Sequence, residues 1–115
     1  MKLVTYRHDG RVSIGKLEGD TIVDLPGADP ALPATMLALL QAGPEAMDRA
    51  RDARGSGAHV VPLAAARLLA PISNPSKYLA IGMNYRKHVA EAGKVGVHTP
   101  PTQVWFNKQG SCING

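Results

Sequence analysis

A single cysteine, Cys112, stands in the 115 residues. That excludes an internal disulfide framework and a cysteine-cluster zinc site. Aromatic residues make up only 4%, so a core must be built mostly from aliphatic side chains. No apolar run approaches the roughly 18 residues that a membrane-crossing helix needs. Arg7 interrupts the opening stretch before any signal-peptide core can form, and a cytoplasmic location is the expectation. Carboxylates are absent after Glu91. A hard divalent ion such as magnesium prefers oxygen ligands, typically carboxylates, so the C-terminal end offers it no site. His8, His59 and His98 show no metal spacing. Neither a Walker-type loop nor a dinucleotide fingerprint is present.

What is present is globular-type composition: 44% apolar residues, 19% charged, and a mean hydropathy of -0.10. One domain is the natural limit at this length, with room for a small second piece. The net charge of +4 is unevenly placed. Residues 1–76 balance eight basic residues against eight acidic ones, whereas residues 77–115 carry Lys77, Arg86, Lys87, Lys94 and Lys108 against Glu91 alone. A focused positive field suits a small anionic molecule; an ordinary solvated face is the alternative. A dense basic stripe with interleaved aromatics is missing, which argues against nucleic acid as the partner. Nothing in the sequence suggests a membrane partner either.

The pattern along the chain predicts an α+β protein. Residues 3–6, 11–17 and 21–25 are short β-favouring runs, separated by Asp9-Gly10 and by Glu18-Gly19-Asp20. Asp-Gly between two such runs is a hairpin signal, because a type I′ turn needs φ > 0 twice. Residues 26–33 read as loop. Residues 34–43 form an apolar helical stripe stopped by Gly43, and Pro44 can open a second helix. Two Pro-containing runs, His59–Leu63 and Ala66–Ile72, fit short or edge strands. A module boundary falls near residue 68. Beyond it, Tyr78–Ile81 reads as a buried strand, Gly82 as a turn and Asn84 as an N-cap. Tyr85–Gly93 reads as a short helix, residues 94–103 as an exposed loop and Val104–Lys108 as another strand. That last strand has no following element, so the chain reads as a fragment of a longer protein.

Chemistry-bearing residues gather in the strand–glycine–helix junction. His88 and Glu91 are spaced i and i+3, which places them on one helix face. A carboxylate beside imidazole fixes its tautomer and favours a general base. A surface histidine that merely neighbours a glutamate has the same spacing. Lys108 can clamp a carboxylate or enolate, or can be an outward edge-strand lysine. Arg86 and Lys87 can pair with an anionic substrate or only solubilise the helix. Gln109, Ser111 and Asn114 are polar groups near the strand end. Cys112 has no adjacent base and reads as a quiet thiol.

The stretch from Arg67 to Gly115 resembles the start of the catalytic domain in the fumarylacetoacetate hydrolase family. Its most specific part runs from Leu69 to Gly93 and includes Gly82-Met83-Asn84-Tyr85-Arg86-Lys87-His88; Phe106-Asn107-Lys108 strengthens it. The resemblance implies a small N-terminal module (residues 1–67) followed by an incomplete mixed β-roll catalytic domain (residues 68–115). It implies a homodimeric enzyme that requires Mg2+, or Mn2+ or Ca2+, and acts on keto or enol dicarboxylic acids of aromatic catabolism. The reactions implied are C–C hydrolysis, decarboxylation or isomerisation, as of 2-hydroxyhepta-2,4-diene-1,7-dioate. His88 matches the histidine that activates water or moves a proton, and Glu91 its carboxylate partner. Lys108, Arg86, Tyr85 and Asn84 fall near the substrate. The family's metal-binding carboxylates lie C-terminal to the match of Gly115, so this stretch is expected to be inactive alone. A non-catalytic remnant, or a dimerisation or anion-binding module, is the alternative.

Overall fold

The computed structural model describes residues 1–113. It divides into two compact units, Met1–Asn74 and Pro75–Cys112.

In the first unit, β1 (Lys2–His8), β2 (Arg11–Glu18) and β3 (Thr21–Asp24) form an antiparallel meander. Asp9 and Gly10 both take positive φ, 47° and 78°, as the hairpin reading requires. Tyr6 faces Ser13 and His8 faces Arg11 across the first pair. The expected short strands are β4 (Val60–Pro62) and β5 (Arg67–Leu69), which close the sheet in the order β4-β3-β2-β1-β5. Three-residue edges, one bearing a proline, offer little template for another chain. Because Arg67–Leu69 pairs with Thr5–Arg7, the first compact unit runs on to Asn74.

Helices lie over one face of this sheet. Residues 26–33, read as loop, begin with a helical turn, α1 (Leu25–Ala28). Pro26 fits there because first-turn amides need no partner. The stripe at 34–43 becomes α2 (Met36–Gln41), whose N-cap Thr35 accepts from the Ala38 amide at 3.3 Å. Gly43, at φ 85°, turns the chain into α3 (Pro44–Asp52). Ile14, Leu25, Leu32, Met36, Leu39, Ala50 and Ala53 make the main core. A smaller cluster of Tyr6, Ile22 and Val61 fills the other sheet face. The core is largely aliphatic, as the low aromatic content predicts.

Two polar groups are buried in this unit at useful points. Lys16, 4% exposed, donates to the Arg51 and Ala53 carbonyls at 2.9 and 2.8 Å and pairs with Glu18 at 2.8 Å. It therefore satisfies carbonyls at the C-terminus of α3, where a helix favours cations. Asp24 accepts from the Tyr6 hydroxyl at 3.0 Å and from Ser13, which joins β1, β2 and β3 through side chains.

In the second unit, β6 (Leu79–Ile81) pairs antiparallel with β7 (Trp105–Asn107). The Gly82 amide donates to Val104 at 2.8 Å and the Lys108 amide to Tyr78 at 2.7 Å, extending the ribbon at both ends. α4 spans Arg86–Lys94. The expectation of a buried strand at 78–81 does not hold. Leu79 is 47% exposed and Trp105 56%, because the ribbon has only two strands among the described residues. The helix also starts and stops elsewhere than expected. Its N-cap is Tyr85, without a side-chain cap bond, and not Asn84. It runs through Gly93 to Lys94, and Gly96 takes the positive φ of 79° after it.

Candidate functional site

The candidate site is built on the junction from β6 to α4. Gly82 continues the ribbon, and the chain then bends sharply at Met83, which sits at φ 56°. An L-residue in that region costs about 1–2 kcal/mol. Asp9, the other non-glycine with positive φ, lies in a tight turn, where aspartate tolerates the conformation. Met83 also stands in a turn, but its side chain has no polar group to bond the local backbone as aspartate does. Strained positions of this kind concentrate at functional sites. Residues 81–84 face residues 99–104 across a cleft of about 260 Å³.

Asn84 is exposed and lines this cleft. Tyr85, 75% exposed, follows it, and its carbonyl accepts from the Val89 amide at 3.0 Å. Arg86, Lys87, His88 and Glu91 are all exposed on α4. The helix that the spacing predicts is present, so His88 and Glu91 share a face. Among the described residues they form no hydrogen bond or ion pair with each other. Imidazole and carboxylate meet only if their side chains rotate together.

Lys108 sits at the other end of the ribbon. Its ammonium lies 5.7 Å from the centroid of the Tyr78 ring, within cation–π range. Gly82 and Tyr78 are four residues apart, roughly 13 Å along a strand. Lys108 is thus placed at the opposite end of β6 from the bend, against an aromatic ring. Gln109, Ser111 and Cys112 are exposed; Asn114 lies outside the described residues. Met83 is the junction residue that sequence reading left without a role. Its side-chain type carries no signal, and its positive φ appears only in the backbone.

The described residues contain no group of three His, Cys, Asp or Glu side chains able to hold a metal. The divalent ion implied by the resemblance therefore has no ligand set in them. No helix among the described residues is long and apolar enough to cross a membrane.

Comparison with known proteins settles the family. Residues 1–71 match the family profile described as Rv2993c-like, N-terminal. Over 119 aligned residues, the chain is 36% identical to oxaloacetate tautomerase fahd2, mitochondrial, of Xenopus laevis; the match takes in all of this chain and 36% of that one. It is 33% identical over 97 residues to fumarylacetoacetate hydrolase domain-containing protein 2 of Pongo abelii, covering 84% of this chain and 30% of that one. The chain belongs to the fumarylacetoacetate hydrolase family. The crystal structure of a protein designated HpcE from Mycobacterium smegmatis has the same α+β fold over all of this chain and 38% of its own, with a TM-score of 0.74 and 28% identity. The chain spans about a third of the length of the curated relatives it matches.

Proposed function

We propose that this chain supplies the N-terminal module and the first part of the catalytic domain of an enzyme acting on a small 2-keto or 2-hydroxy-enol dicarboxylic acid. Interconversion of keto and enol forms is the reaction that the tautomerase relatives' names suggest; hydrolysis or decarboxylation of related acids draws on the same groups. One observation carries the reading. A helix bearing His88 and Glu91 on one face follows directly after a strained bend that lines a cleft, inside a stretch aligned throughout with an oxaloacetate tautomerase.

The chemistry follows from the side chains. The imidazole of His88 takes a proton from the carbon beside the keto group and delivers it to the oxygen of the resulting enolate, the reverse order making keto from enol, or activates water where a C–C bond is cut. Glu91, turned toward it when substrate is bound, fixes the tautomer and favours the protonated ring. Arg86 brings positive charge to a dianionic substrate, while Asn84 and Tyr85 shape the pocket wall; Lys108, at the far end of β6 from the bend, adds to the positive field that draws the anion in. A divalent ion, Mg2+ or another, would supply Lewis-acid polarisation of the keto-acid oxygens; the described residues hold no ligand set for it, and its ligands would come from outside them. The proposed setting is the cytoplasm, the proposed assembly a homodimer and the proposed substrate source aromatic catabolism. Neither nucleic acid nor membrane is a proposed partner.

The test is the absorbance decay of enol-oxaloacetate with the complete gene product and added Mg2+. His88→Ala should slow turnover by about 10²–10⁴-fold. Unchanged turnover in that variant would remove His88 from the mechanism. The alternative, a non-catalytic dimerisation or anion-binding module, draws on the excess of basic over acidic residues in 77–115. It predicts keto-acid binding or dimer formation with no turnover in either protein.

A further inference from the structure

Glycine and strain are out of register at the bend. Gly82 does not use a positive φ, and the nearest atoms to a Cβ built there belong to Val104, at 3.6–3.8 Å, an ordinary contact. The residue that does hold φ 56° is the next one, Met83. A glycine at 83 would adopt that backbone without strain. Methionine there keeps a long side chain on the wall of the 260 Å³ cleft. Asn84 beside it, and Thr99, Thr102 and Gln103 on the facing wall, can hydrogen-bond to the oxygens of a bound acid. An unbranched thioether with three rotatable bonds adapts its shape to an apolar chain.

We infer that Met83 is a specificity-determining residue, whose side chain packs against the carbon chain between the two carboxylates of the substrate and selects for its length. This rests on the keto or enol dicarboxylic acid reading above. The small residue before it leaves the adjoining wall open for the same chain.

Methyl NMR on the complete gene product with added Mg2+, the protein of the turnover test, reads this directly. The Met83 ε-methyl signal is assigned by its loss in Met83→Leu. Titration with oxaloacetate should move the Met83 methyl while Met36 and Met47, which belong to the first unit's core, stay still. Met83→Ala should shift the affinity ratio of 2-oxoglutarate to oxaloacetate toward the longer acid by about tenfold, as one methylene does in an apolar pocket. Gly82→Ala, which the backbone accommodates, should weaken both acids. Two outcomes overturn the inference alone: oxaloacetate binds, by calorimetry and by amide shifts across residues 84–91, with the Met83 methyl unmoved; or Met83→Ala leaves the ratio unchanged. If neither heat nor any resonance responds to either acid, the substrate reading falls, and this inference with it.

Discussion

The ammonium of Lys16 lies 2.8 Å from the carbonyl of Ala53, the C-cap of α3. The contact joins the middle strand of the sheet to the end of a helix 37 residues away. Lys16→Met keeps the aliphatic stem but leaves the Arg51 and Ala53 carbonyls with only the longer bonds from the Arg54 guanidinium, 3.2 Å to each. Hydrogen bonds from a charged donor are worth about 1.5–3 kcal/mol, and the remaining Arg54 contacts put the expected loss at about 1–2 kcal/mol. Urea unfolding of the variant should show that loss with an unchanged m-value. A loss under about 0.3 kcal/mol, the scale of an ordinary surface change, would mean that water replaces the ammonium without cost.

Acid should weaken the first unit through two carboxylates. The hydrogen bond and charge of Lys16 hold Glu18 below the usual 4.5. The Arg49 guanidinium, donating to both oxygens of Asp29, holds that group below 3.8. A carboxylate whose folded pKa is depressed adds stability above its unfolded value and loses it as pH falls through the folded one. Stability should therefore be full at neutral pH and decline below about pH 4.5. Arg49→Gln should flatten the part of that decline due to Asp29. An acid limb of identical slope in the variant would contradict the pairing.

These contacts also mark where sequence reading stopped. Asp9-Gly10 is legible because only a turn with two positive φ angles suits that pair. Pro62 and the short runs around it identify edge strands for the same local reason. The helix carrying His88 and Glu91 is legible from spacing and resemblance. Lys16 is not, because in an alternating strand it looks like any solvent-facing charge, and its partners sit on a helix far along the sequence. Asp24 is hidden likewise, since Tyr6 and Ser13 reach it only after three strands pair. Tyr78–Ile81 fails in the opposite direction. Its apolar run correctly signals a strand, but burial depends on neighbours that the pattern cannot supply. The bend at Met83 is invisible because methionine has no turn chemistry.

Base should act through Tyr6. Burial, reinforced by the hydrogen bond to Asp24, pushes its phenol up to about 12. A phenol whose folded pKa is raised binds its proton more tightly in the folded state, so its contribution is present below about pH 10 and lost toward pH 12. Tyr6→Phe should remove that part of the alkaline decline and cost about 1 kcal/mol at neutral pH, because Asp24 loses a donor. The 295 nm titration difference between the two proteins reports the missing phenol. A difference centred near pH 10 would show that Tyr6 ionises without hindrance.

Two glycines should respond to alanine with opposite signs. At Gly15 a Cβ would collide with Ile22 Cγ2 and stand 3.2 Å from the Tyr6 ring. Both neighbours are buried in the second core cluster, so the strand or the ring must move, and overpacking of this kind costs about 1–3 kcal/mol. Gly93 lies inside α4 without a positive φ, and a methyl group added there would meet nothing within 4 Å. Alanine there should strengthen the helix by about 0.5–1 kcal/mol. Thermal unfolding of Gly15→Ala should shift downward, while Gly93→Ala should raise amide-exchange protection across residues 86–94 and leave the first unit untouched. Equal protection before and after the second substitution would show that α4 is not held as a helix in solution, and would take the shared face of His88 and Glu91 with it.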